Sequence, residues 1–182
     1  MNRSFCRLLL VVALTLCPVC SGAQTNTLSS LSQFPALQRI TSKAGLIFSG
    51  TVVAVRAIRE RDSDQISSVE VTFQVEQTLR GPRAGQRFSI REWPGLWLSS
   101  ERYRVGERMM IFLYPPSHAG FTSPVEGGAG RFDVDREGRI SVKPGQTPLL
   151  LRNAGPIRSA TDARVPLGTF SRAIRSLIEE SR

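Results

Sequence analysis

Cysteine is scarce in this 182-residue chain and confined to one end. Cys6, Cys17 and Cys20 are the only three, and none follows residue 20. The remainder therefore forms no disulfide, presents no thiolate nucleophile and offers no cysteine to a metal. Small exported domains often rely on disulfides for stability, so this chain must rely on its core. Histidine is scarcer still, with His118 alone. It stands beside Ser117 in Pro115–Gly120, whereas a serine nucleophile needs a base converging from another segment. No G-x-S-x-G elbow occurs. A single imidazole is also too little for a zinc site. His118 thus reads as a loop residue, and no catalytic residue, metal or cofactor is expected.

Long apolar runs are missing as well. The longest apolar stretch, Leu8 to Cys20, has 13 residues, against roughly 20 for a membrane-spanning helix. Its context is that of a secretory signal peptide. Arg3 and Arg7 form a basic start, Leu8 to Leu16 an apolar centre, and Cys17 to Ala23 a small-residue end broken by Pro18. Ser21 and Ala23 then occupy the −3 and −1 positions, which predicts cleavage after Ala23 and a secreted or periplasmic product. Lipid attachment at Cys17 or Cys20 fits poorly, because Leu16 and Val19 stand where a small residue belongs. The expected organisation is a signal peptide at 1–23, a flexible polar leader at 24–30 and a single domain at 31–182.

Acidic residues are outnumbered. The chain carries 24 basic and 15 acidic residues; without Arg3 and Arg7 the basic count is 22 and the net charge +7. Of those 22, only Lys43 and Lys143 are lysine. A basic balance attracts nucleic acid, anionic lipid or acidic glycan. Here the arginines are scattered and no run of five basic residues occurs, so a solvated basic surface is the simpler reading and nucleic acid is not the favoured partner.

What is present is a strand pattern. Leu31, Phe34, Leu37 and Ile40 recur at helical spacing and predict a short helix ending near Lys43. Leu46 to Ile58 is rich in β-branched residues and predicts a long strand, with Gly50 marking a bulge or bend. Val69, Val71, Phe73 and Val75 alternate with polar residues, so one face is buried. Gln86 to Glu92 alternates again, with Phe88 and Ile90 inward. Met109 to Tyr114 is unbroken and apolar, a strand buried on both faces. Phe132 and Val134 face Ile140 and Val142 across a turn, which predicts a hairpin. Residues 143–165 read as a surface connection, and Leu167, Phe170, Ile174, Leu177 and Ile178 as the stripe of a C-terminal helix over 168–181. The fold class is mainly β with flanking helices: five or six strands in a curled antiparallel, OB-like barrel.

Ala44 to Val52 (AGLIFSGTV) resembles the first strand of netrin-like domains, the fold shared with tissue inhibitors of metalloproteinases. Val69 to Gly81 is similar to their second strand, and Tyr103 to Phe112 to the approach to their fourth. The similarity spans roughly residues 44–114, under half the chain. It implies an OB-type five-stranded barrel with packed helices, in the company of cysteine-poor exported bacterial proteins. It implies no inhibitor activity. The tissue inhibitors chelate zinc through an N-terminal cysteine, whereas the expected mature N-terminus is Gln24 and the netrin-like disulfides are missing.

Candidate sites are few. Glu60, Asp62 and Asp64 lack the spacing of a calcium loop and read as a solvated turn. Glu70 and Glu76 lie six residues apart on one strand, about 20 Å at strand rise, too far for a glycosidase pair; Glu92 can approach either, but nothing in the sequence requires it. The segment Glu92 to Leu98 holds both tryptophans, Trp93 and Trp97, with Arg91, Arg102 and Arg104 around them. Buried, the rings would plug the open end of a barrel, the reading that aromatic burial favours. Exposed, they would stack on sugars or anchor a partner, with an anion preference from the arginines. The leading expectation is an exported, non-enzymatic binding module for a protein or a cell-envelope polymer. The alternatives are a binder of acidic polymer or nucleic acid, and an envelope hydrolase built on Glu70, Glu76 and Glu92. Expression in a host with a general secretion system is expected to yield a chain starting at Gln24; mass spectrometry reading an intact N-terminus on the exported protein would refute the cleavage.

Overall fold

The computed structural model describes residues 35–59, 65–96, 102–141 and 164–181. The expected signal peptide and leader, the turn residues Glu60, Asp62 and Asp64, Trp97 and nearly all of the 143–165 connection lie outside the described residues.

Helix α1 (Pro35–Lys43) opens on a proline, whose fixed φ suits a first helical turn. It buries Leu37 and Ile40, the described part of the expected stripe. Strands β1 (Leu46–Arg59) and β2 (Ile66–Arg80) form a long antiparallel ribbon. Then come β3 (Arg87–Glu92), β4 (Arg108–Leu113), a 3-10 turn (Gly127–Gly130), β5 (Arg131–Val134), β6 (Arg139–Ser141), β7 (Arg164–Pro166) and helix α2 (Leu167–Glu180). The hairpin expected around Asp135–Gly138 is present, with Val134 opposite Ile140.

Among the described residues the fold is mainly β: one seven-stranded antiparallel sheet in the order β3-β2-β1-β4-β5-β6-β7, with two helices. That is one strand more than the upper expectation. The short β7 comes from Arg164-Val165-Pro166, read in sequence as connection and helix start; Val165 instead pairs with Ile140. The sheet is not closed into a barrel, since β3 and β7 are its two ends. After β4 the chain touches the sheet at two isolated bridges, Arg91 with Phe121 (parallel) and Leu113 with Pro124 (antiparallel).

Both faces of the sheet are apolar. On one, α1 and α2 cover Ile47, Met110, Phe112, Phe132 and Ile140 with Leu37, Ile40, Phe170, Ile174 and Leu177. On the other, the sheet packs Phe48, Val52, Val69, Val71, Phe73, Val75, Ile90, Met109, Ile111 and Leu113 around Tyr103. Strand β4 feeds both clusters, which is why its sequence shows no alternation. Edge-to-face contacts of Phe48 with Phe73 (5.4 Å) and Phe88 (5.8 Å) order the inner cluster.

Gly50 is where β1 bends. The β1–β2 register shifts between Ser49 and Gly50. A Cβ at residue 50 would stand 2.5 Å from the carbonyl oxygen of Gln74, so any side chain forces the paired backbones apart at the point that lets the ribbon curl. Gly50→Ala is expected to destabilise the domain by about 1–3 kcal/mol, the usual cost of overpacking. Urea unfolding is the measurement, and an unchanged midpoint would refute the close approach.

Candidate functional site

The connection after β3 begins with an inward carboxylate. In the β2–β3 ladder Phe73 faces Phe88, Val71 faces Ile90, and Val69 faces Glu92. Residues opposite each other share a sheet face, so Glu92 continues the inner row and is 2% exposed. A carboxylate there needs strong partners. The Tyr103 hydroxyl donates to its Oε1 at 2.7 Å. Tyr103 in turn packs edge-on to Phe73 at 5.8 Å, and the buried Arg131 guanidinium lies 4.0 Å from the centre of its ring. Arg131 also stands 4.0 Å from Glu107 Oε2. Burial, and then the Glu92 charge, push the Tyr103 phenol well above its ordinary value, so it keeps its proton and serves as a donor. These three residues line a cavity of about 280 Å³ with Leu96, Tyr114 and Glu126.

The next residue turns outward. Trp93 is 62% exposed and stacks on Phe121, with ring centres 5.4 Å apart and planes inclined by 24°. The Arg91 guanidinium lies 5.0 Å from the same Phe121 ring and donates to Ser68 Oγ at 3.3 Å. Backbone bonds hold Phe121 in place: Thr122 N–H to the Arg91 carbonyl at 2.9 Å, and Ser117 N–H to the Phe121 carbonyl at 2.8 Å. Beside this stack runs a groove of about 530 Å³, lined by Trp93, Leu96, Tyr114, Pro115, Phe121 and Ser123 among others.

The plug expected of the tryptophans is therefore corrected for Trp93. Strand alternation sends Glu92 inward, and Tyr103 with the phenylalanines already fills that space. Trp97 lies outside the described residues. Of the three arginines only Arg91 joins Trp93. Arg102 is exposed and lines a separate pocket with Pro94 and Gly95. Arg104 is exposed in the turn before β4, where its backbone N–H donates to Glu107 Oε2 at 2.9 Å.

The three candidate carboxylates do not converge. Glu70 pairs with Arg91 and Arg56 in the ladders and alternates with the inner row, so it faces away from Glu92. Glu76 accepts from Thr51 Oγ1 at 2.7 Å and Arg108 Nε at 2.6 Å. Alternation through Phe88 and Ile90 was the available signal for an inward Glu92. Nothing comparable marked Phe121, which sits in a glycine-rich stretch without periodicity, or Arg131, which opens a strand like any surface arginine.

No protein-family model matches the chain, and no curated protein does either.

One electrostatic clamp braces the site from the helix side. Glu126, in a left-handed conformation (φ 53°), begins the 3-10 turn. It receives Arg39 Nε at 2.8 Å and Lys43 Nζ at 3.0 Å, both from α1. Hydrogen bonds from Arg39 and then Lys43 push its carboxyl down to about 2. A depressed carboxyl stabilises the fold above its unfolded pKa, and that contribution disappears as pH falls toward the folded value. The stability gap between the native protein and Glu126→Gln is thus expected to be full at neutral pH. It should shrink as pH falls from about 5 toward about 2, followed by thermal unfolding; a gap independent of pH would refute the clamp.

Proposed function

We propose that this chain is an exported binding module, and that its ligand is an anionic cell-envelope polymer laid across Trp93 and Phe121. The observation that carries the reading is the exposure of Trp93 while stacked on Phe121. Large aromatic rings are normally buried, and a pair held open on ordered backbone beside a groove is a platform for the apolar face of a sugar ring. Arg91, in contact with the same Phe121 ring, supplies the preference for negative charge, and the +7 balance adds long-range attraction. Export follows from the basic, apolar and small-residue order of residues 1–23.

Binding is favoured over hydrolysis because Glu92 and Glu70 belong to opposite faces of the sheet. The architecture proposed is an OB-type, netrin-like barrel left open between the end strands of the sheet. It is supported by the β1-β2-β3 meander, by the flanking of β1 by β2 and β4, and by the two isolated bridges that carry residues 121–124 from β4 toward β3.

Trp93→Ala is expected to weaken co-sedimentation with envelope polysaccharide at least tenfold, the usual loss for an aromatic anchor. Arg91→Gln is expected to flatten the salt dependence of binding. Unaltered sedimentation of Trp93→Ala refutes the site, and retention of an envelope protein instead of polysaccharide moves the platform to a protein partner.

A further inference from the structure

A second pocket lies at the far end of the β1–β2 ribbon. Strand β4 pairs with β1 only over Leu46–Thr51, and β3 pairs with β2 only over Val69–Gln74. Val55–Ala57 therefore lie on β2 with no β4 beside them, and beyond them Ile58–Arg59 and Ile66–Ser68 form a two-stranded end. The inner row of β1 continues the apolar face of the core: Val55 sits opposite Val71 and Ala57 opposite Val69. The core ends there, but the apolar surface does not. Val55, Ala57, Ile66 and Val69, with Pro94 and Gly95 facing them, line a pocket of about 540 Å³. Ile66 is 41% exposed at its mouth.

Among the described residues the one charged lining residue is Arg102. Its side chain makes no hydrogen bond or ion pair among the described residues. Glu92, opposite Val69 in the ladder, does not supply the missing anion at the mouth, because it is 2% exposed and accepts from Tyr103. Among the described residues the pocket thus combines an apolar floor with a single unmatched cation. Pockets of this size, apolar with one orienting polar group, are typical of small-ligand sites and recur at the mouths of curled sheets.

We propose that this pocket binds a single-chain amphiphilic anion of the fatty-acid class. The acyl chain lies on Val55, Ala57 and Val69, and the carboxylate meets Arg102. The apolar tail gains from leaving water, and the carboxylate gains a charge-assisted hydrogen bond at the rim. The site shares only Gly95 with the groove beside Trp93, so either can fail alone.

Titration calorimetry of the full chain with dodecanoate, below its micellar concentration, tests the assignment. One molecule per chain is expected to bind. Arg102→Gln, an exposed change that leaves the core intact, should weaken binding about tenfold, as for one hydrogen bond to a charged group. Ala57→Trp should abolish binding by filling the pocket, with circular dichroism confirming the fold, while Trp93→Ala should leave it unchanged. Dodecylammonium should bind far more weakly than dodecanoate. The proposal is overturned if dodecanoate does not bind, if the cationic amphiphile binds equally well, if Ala57→Trp binds normally while folded, or if a peptide with an apolar C-terminus binds in preference.

Discussion

The fold depends on a sheet that must bury both of its faces. Met109–Leu113 sets the requirement: all five residues are fully buried, Met110 and Phe112 toward the helices and Met109, Ile111 and Leu113 toward the inner cluster. Helices α1 and α2 are enough to cover one face. The other has no helix among the described residues, and it is covered by the curl of the long β1–β2 ribbon and by Tyr103. That curl needs the backbones of β1 and β2 to meet closely, which is why residue 50 has no side chain.

The limits of the inner face locate the chemistry. Where the inner row of β3 runs out, it places a carboxylate, Glu92, in apolar surroundings. The requirement to satisfy that charge explains why the Tyr103 hydroxyl is brought to it, with Arg131 from β5 packed on the Tyr103 ring. One residue later the chain leaves the core, and Trp93 emerges onto Phe121. The short connection from Glu92 to Leu96 therefore borders three cavities of different character: a polar one at Glu92, an aromatic groove at Trp93 and an apolar pocket at Pro94 and Gly95. A single residue separates burial from exposure, because alternation reverses the direction of each successive side chain.

Much of the architecture was legible from periodicity. The β2 alternation, the unbroken β4, the β5–β6 hairpin and the stripe of α2 each announce their burial through local spacing, and each lies where the spacing puts it. Elements without spacing were not legible. Strand β7 is three residues with a proline and forms only because β6 offers it an edge. Phe121 and Thr122 are ordered by the backbone of Arg91, thirty residues earlier in the chain. For the candidate site, Trp93 and Arg91 were visible as residue types, but their exposure and their shared partner were not.

The amino-acid sequence by itself determined the mainly β class, the positions of the principal strands and the C-terminal helix, and the absence of thiol chemistry beyond residue 20. These rest on composition and on contacts between near neighbours, where side-chain direction follows from the backbone period. Only the tertiary structure decided that Glu92 is buried on Tyr103, that Trp93 faces outward on Phe121, and that Arg102 stands apart at an apolar pocket. Those outcomes turn on which distant segments compete for the same space inside the sheet, and tryptophan loses that competition to residues already packed there.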